Sequence, residues 1–97
     1  MYYTYILKSL KNGKYYIGSA NNVDERLIQH NNGKVKSTRF DRPWKIVHLE
    51  CFSTRAGAVR RERQIKSWKN RVAIERLINN AEHRGSSIAS GGPLAQR

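Results

Sequence analysis

No stretch of this chain approaches the roughly 18 consecutive apolar residues that a membrane-spanning helix needs, so no membrane partner is expected. Cysteine occurs once, at Cys51. That excludes an internal disulfide, and one cysteine with the scattered His30, His48 and His83 makes no structural zinc site. Cys51 lies in the apolar run Ile46 to Phe52, where a buried, inert thiol is expected in place of a nucleophile. The start reads Tyr2-Tyr3-Thr4-Tyr5, strand-like and unlike a charged-then-apolar leader, so a cytoplasmic location is expected. Acid is scarce too: 7 Asp and Glu stand against 19 Lys and Arg, a formal charge of +12. The plain alternative is a merely soluble basic protein, but at this charge density a phosphate-rich polyanion is the expected partner.

With 97 residues there is room for one domain, which buries only about 60–65% of the surface its unfolded chain exposes. Tyr3 to Lys8 and Lys14 to Ala20 are β-branched and aromatic, and the Asn12-Gly13 pair between them signals a hairpin. From Asn22 the period changes. Asp24 and Glu25 fall in a first turn, and Val23, Leu27 and Ile28 recur at helical spacing until Asn32-Gly33 stops them. Lys34 to Pro43 is an aperiodic basic loop, and a third strand follows from about Trp44 to Phe52. Ser53 or Thr54 caps a helix to about Trp68, and Asn70 caps another through Val72, Ile74, Leu77 and Ile78. The order β-β-α-β-α-α predicts an α+β domain over 1–79, a three-stranded antiparallel sheet with helices packed on one face and the other face free for a site. Residues 80–97 are rich in Ser, Gly and small residues, and a disordered tail is expected there.

Tyr5 and Tyr16 share a hairpin face in any antiparallel register that sets odd residues of the first strand against even residues of the second. A tight turn at Asn12-Gly13 holds them about 13 Å apart, whereas a wider loop makes them neighbours. Periodicity alone leaves amphipathic packing equally open. Arg26 and His30, four apart, project from one helix face, a phosphate-binding fork beside an imidazole suited to proton abstraction. An ordinary solvated face would look the same. Glu62 is the single acid in Arg60-Arg61-Glu62-Arg63 and lies beside the apolar face set by Ala58, Val59 and Ile65. It could pair with a flanking arginine or bind a metal, since magnesium in phosphoryl transfer often takes one carboxylate plus water and substrate oxygens. Lys34, Lys36, Arg39, Arg60, Arg63, Lys66, Lys69 and Arg71 form a phosphate-facing surface that positions nucleic acid without reading sequence. Trp44 and Trp68 sit at element edges among apolar neighbours, where packing is expected over base stacking.

Taken in order, Tyr3-Thr4-Tyr5, Tyr16-Ile17-Gly18, the Arg26 and His30 pair and the later Glu62 resemble the GIY-YIG nuclease superfamily. Closer still are its small stand-alone bacterial members, through Tyr15 to Ser19, Arg42-Pro43-Trp44 and Gln64 to Trp68. The similarity covers about Tyr2 to Ile78. Tyr3 and Thr4 stand where the name-giving members have Gly and Ile, and the asparagine that fuller members place after the glutamate has no counterpart, Asn70 coming early. The resemblance implies that Tyr5 and Tyr16 are the paired tyrosines, Arg26 the phosphate-binding arginine and Glu62 the ligand of Mg2+ or Mn2+. His30 matches a position that members fill with histidine or tyrosine. It implies an endonuclease on nucleic acid, DNA before RNA and structured or single-stranded, with DNA repair as one setting and an unidentified protein partner as another expectation. In that mechanism water attacks in line, Arg26 offsets charge on the phosphoryl group, and Tyr5 or His30 takes the proton through hydrogen bonds with Tyr16. The competing readings are a binding module of the same fold without turnover, and a small ribosome-associated or scaffold protein.

Overall fold

In the computed structural model, which describes residues 1–85 and the side chains of 1–80, three apolar-rich segments form one antiparallel sheet. They are β1 (Tyr2–Ser9), β2 (Tyr15–Ala20) and β3 (Trp44–Phe52), in the order β2-β1-β3. Helices α1 (Val23–Asn31), α2 (Arg55–Trp68) and α3 (Arg71–Gly85) complete the β-β-α-β-α-α order expected from the sequence, with a 3-10 turn at Arg39–Asp41. The third helix continues past Asn79 to Gly85; the rest of the expected tail, 86–97, lies outside the described residues.

Each helix starts where a side-chain oxygen takes up an orphan backbone N–H. The Asn22 side chain accepts from the Glu25 N–H at 3.0 Å, Thr54 from Gly57 at 3.0 Å, and Asn70 from Val72 and Ala73 at 2.9 and 3.2 Å. Gly33, at φ +78, supplies the left-handed residue just beyond α1. Lys69 does the same between α2 and α3 at φ 46, a conformation that carries strain for a residue with a Cβ.

Helices cover both faces of the sheet, which corrects the expectation of one free face. On one side Tyr5, Leu7, Val23 and Trp44 form a buried cluster with Tyr3, Tyr16, Ala20, Leu27 and Ile46 beneath α1. On the other, Ile6, Ile17, Ile65, Ile74 and Ile78 bring α2 and α3 down onto the sheet, and each fully buried isoleucine contributes about 2 kcal/mol. Strict alternation along β1 divides the two clusters. The pairing with β3 shifts between Ile6 and Leu7, so Ile46 falls under α1 while Val47 joins the opposite cluster. Both tryptophans pack, as expected: Trp44 is buried and Trp68 lies against the isoleucine cluster.

Cys51 is exposed, against the expectation of a buried thiol. The nine-residue α1 docks at the start of β3, where Asn31 accepts from the Trp44 N–H at 2.6 Å and donates to its carbonyl at 3.1 Å. That leaves Leu49 and Cys51, at the far end of an edge strand, in solvent.

Candidate active site at the sheet edge

Hairpin register decides whether the two tyrosines meet. Pairing runs from Tyr3↔Ala20 through Tyr5↔Gly18 and Leu7↔Tyr16 to Lys8↔Tyr15, so the loop is the wider of the two expected. The Ser9 hydroxyl accepts from the Lys11 and Asn12 N–H groups, both at 3.1 Å, and holds the wide loop open with Gly13 at φ +79. Tyr5 and Tyr16 are thereby diagonal neighbours on one face, ring centroids 6.4 Å apart. The Tyr5 ring reaches across β2 at Gly18, where an added Cβ would lie 2.6 Å from its hydroxyl oxygen. Since β2 is an edge strand, that hydroxyl is delivered from the central strand to the margin of the sheet.

Behind Tyr5 runs a short chain of hydrogen bonds. Tyr5 Oη lies 3.2 Å from His30 Nε2, His30 Nδ1 lies 2.8 Å from Thr38 Oγ1, and the Thr38 hydroxyl donates to the Val35 carbonyl at 3.3 Å. With the Thr38 proton spent on Val35, the consistent assignment has Nδ1–H donating to Thr38 and Nε2 accepting from Tyr5. His30 is fully buried, and burial, with the Arg26 charge second, lowers its pKa to about 4, so the ring is neutral at pH 7. Burial also raises the Tyr5 phenol above its ordinary value. A hydrogen bond from Arg26 opposes that rise, and the charges of Tyr16 and Glu62 add to it. Tyr16 contributes its ring, 4.8 Å from the His30 ring and edge-on.

Glu62 comes to the same edge from the opposite face. Its Oε1 accepts from the Ser19 hydroxyl at 2.7 Å, and its Oε2 faces Lys66 Nζ at 2.6 Å. The ion-pair partner is therefore Lys66, one helical turn on, and not a flanking arginine; Arg61 turns away to grip Glu50 at 2.8 and 3.1 Å. Ser19 follows Gly18 and points to the other face, so β2 carries the tyrosine groups on one side and holds the carboxylate on the other. As donors for a hard divalent ion the set offers one preoriented carboxylate with a hydroxyl beside it. Among the described residues no cluster of three or more acids, histidines or cysteines forms. One carboxylate fits magnesium's habit of completing its shell with water and substrate oxygens, provided Lys66 yields its place.

All five site residues read from the sequence thus gather at one edge, from β1, β2, α1 and α2. Ser19 and Thr38 were not singled out: Ser19 could have been found from its alternation with Gly18, whereas nothing in the aperiodic loop marks Thr38. The basic residues divide into two groups about the hairpin tip. Lys34, Lys36 and Arg39 are exposed on the loop after α1, and Arg60, Arg63, Lys66, Lys69 and Arg71 are exposed on α2 and α3. Arg71 is held in place, donating to the Gly13 carbonyl at 3.0 Å and lying 4.6 Å over the Tyr15 ring. Lys66, Lys69 and Arg71 line an open cavity of about 370 Å³ floored by Ile17, Ile65 and Ile74.

Residues 1–77 match the profile of the GIY-YIG catalytic domain. Among similar chains, a UPF0213 protein of Staphylococcus saprophyticus is 39% identical over 75 residues, covering 76% of this chain and 90% of that one. A UPF0213 protein of Bacillus licheniformis is 40% identical over 87 residues, 87% of this chain and 86% of its own. The solution NMR structure of a UPF0213 protein from Bacillus halodurans superposes with a TM-score of 0.54 at 31% identity, covering 93% of this chain and 98% of that one.

Proposed function

This chain belongs to the GIY-YIG family of catalytic domains, a nuclease family, and from that premise we propose that it is a divalent-metal-dependent endonuclease hydrolysing phosphodiester bonds in nucleic acid, DNA before RNA. Residues 1–79 form the catalytic unit. The observation that carries the reading is the geometry at one sheet edge: the Tyr5 hydroxyl bonds His30 with Tyr16 beside it, and on the other side of the same strand Ser19 holds the Glu62 carboxylate.

Arg26, half-buried on α1, is the group that meets a nonbridging phosphate oxygen and offsets the charge that develops there. Glu62, oriented by Ser19, would hold Mg2+ or Mn2+, which supplies Lewis-acid stabilisation of the phosphate and the leaving oxygen. Proton removal from the attacking water is assigned to Tyr5. Both ring nitrogens of His30 are occupied, Nδ1 by Thr38 and Nε2 by the Tyr5 hydroxyl, and a base must come within about 3 Å of the proton it takes, so His30 acts through Tyr5. Because the Tyr5 phenol is protonated at neutral pH, it accepts the water's proton only as it passes its own to His30 Nε2, a transfer that burial and the Arg26 charge disfavour in the free protein and that an anionic phosphate bound on Arg26 eases. Thr38 holds the ring in the tautomer that permits this transfer.

The test is a cleavage panel of single-stranded, flapped, branched and linear DNA and RNA, with magnesium, with manganese and with chelator. Cutting of at least one member only with metal is expected. Binding that is equal in chelator, with no cutting of any substrate, would favour a binding module and end the proposal.

A further inference from the structure

The 3-10 turn places Phe40 with 77% of its surface in solvent, in the middle of the basic loop. One exposed apolar side chain is ordinary on a protein surface. What sets this one apart is how firmly its backbone is held. The Ser9 hydroxyl donates to the Asp41 carbonyl at 2.5 Å, Lys11 Nζ donates to the Phe40 carbonyl at 2.9 Å, and Asn12 Nδ2 donates to Asp41 Oδ1 at 2.7 Å. Arg42 Nη1 closes the turn on the Arg39 carbonyl at 2.7 Å, its guanidinium lying against Gly33, where a Cβ would sit 2.6 Å from it. Hairpin tip and loop thus fix the main chain on both sides of a ring left mostly in solvent. The Arg39 guanidinium stands 5.9 Å from the ring centroid, and Lys11, Lys36 and Arg42 are exposed nearby in the loop and hairpin. Asp41, the acid in the turn, is already taken by Asn12 and lies 3.9 Å from Lys14.

We propose that Phe40 is a base-stacking contact for the nucleic acid, a flat apolar surface to which the surrounding cations guide the phosphate backbone. An aromatic ring among cations suits a polyanion whose bases offer π-faces, since stacking tolerates any sequence while the cations hold the backbone. Position supports a role on the substrate of the proposed site, on which this inference rests. Thr38, two residues before Phe40, carries the hydrogen bond that orients His30. Ser9, which anchors the turn, lies four residues along β1 from Tyr5, about 13 Å at strand spacing.

The experiment measures binding of fluorescein-labelled single-stranded and flapped oligonucleotides in chelator by the full chain and by Phe40→Ala, Phe40→Leu and Phe40→Trp. Alanine and leucine should weaken binding by about fivefold or more, the lower bound of a stacked base, whereas tryptophan should retain it. The extra emission of the tryptophan variant, over that of Trp44 and Trp68 in the wild type, should be quenched as the oligonucleotide saturates. Unchanged affinity in the alanine variant, or new emission that does not move, would overturn the proposal, and a protein partner would then be the better occupant. If the wild type cuts with metal while Phe40→Ala binds normally, only the stacking role fails. A wild type that binds no nucleic acid would sink both.

Discussion

His30 is buried beside the Arg26 guanidinium, and both circumstances penalise its protonation, so its pKa falls from 6.5 to about 4. Between those values the folded chain binds fewer protons at this ring than the unfolded chain does. Stability therefore rises with pH across that window and is lost as pH falls from 6.5 towards 4, by roughly 3 kcal/mol in full. Glu50 acts in the window below. Burial pushes its carboxyl up, but hydrogen bonds from His48 and Arg61 outweigh that and hold it at about 2, against 4.5 in the unfolded chain. Its contribution is complete above 4.5 and disappears towards 2. Urea unfolding across pH 7 to 3 should show both losses, and His30→Gln should flatten the upper one alone; an unaltered slope between pH 6.5 and 4.5 in that variant would contradict the assignment. Gly18 is the other residue on which the site depends. A Cβ there meets the Tyr5 hydroxyl at 2.6 Å and Tyr16 Cε2 at 3.1 Å, and the Tyr5 ring, 1% exposed and bonded to His30, has nowhere to retreat. Gly18→Ala should cost about 1–3 kcal/mol, read as a lower melting temperature, and abolish cutting; a variant as stable as wild type would show that the ring moves freely.

Between elements, the contacts that hold α2 and α3 to the hairpin use charges that composition assigns to nucleic acid. Arg71 bonds the Gly13 carbonyl, stacks on Tyr15 and pairs with Glu75 at 3.1 Å, both partners well exposed. The exposed pair is worth little, but the hydrogen bond and the ring contact together contribute about 1–2 kcal/mol. Arg71→Ala should lower the melting temperature by about 4–8 °C per kcal/mol lost, for a domain of this size, and leave the salt dependence of binding nearly unchanged. Lys69 is the opposite case: exposed and at positive φ. Lys69→Asn tolerates the left-handed conformation, so stability should hold while the slope of log affinity against log salt falls by about 0.9 on duplex DNA if one phosphate contact is lost. Parallel melting and salt titrations of the two variants separate the roles, and the reverse pattern would refute the division.

For the molecule as a whole, element order was legible because hydrophobic period and caps agree: Asn22, Thr54 and Asn70 cap where the periodic runs begin. The covering of both sheet faces was not. In β1 Tyr3, Tyr5 and Leu7 alternate with Thr4, Ile6 and Lys8, apolar on both sides, and period alone cannot say which helix lies above. Hairpin register hinged on the Ser9 hydroxyl, a local bond that overrides the tight-turn preference of Asn12-Gly13. Of the site, spacing put Tyr5, Tyr16, Arg26, His30 and Glu62 forward with packing, solvated-face and ion-pair readings still open, and the GIY-YIG resemblance selected them; alternation with Gly18 sets the face of Ser19, whereas no period encodes the contact of Thr38 with His30, 8 residues away. The formal charge of +12 makes some nucleic-acid affinity expected of any reading, so binding alone decides little. Glu62 decides more, because it is the carboxylate offered to the metal and its removal leaves the basic surface intact. The most direct measurement follows Glu62→Gln and wild type on one substrate, recording metal-dependent cutting, metal-free binding and melting temperature on the same preparations. The account predicts that cutting collapses, that binding is unchanged or slightly tighter, and that stability shifts by at most about 1 kcal/mol with the Lys66 pair. Cutting retained at near wild-type rate would contradict it.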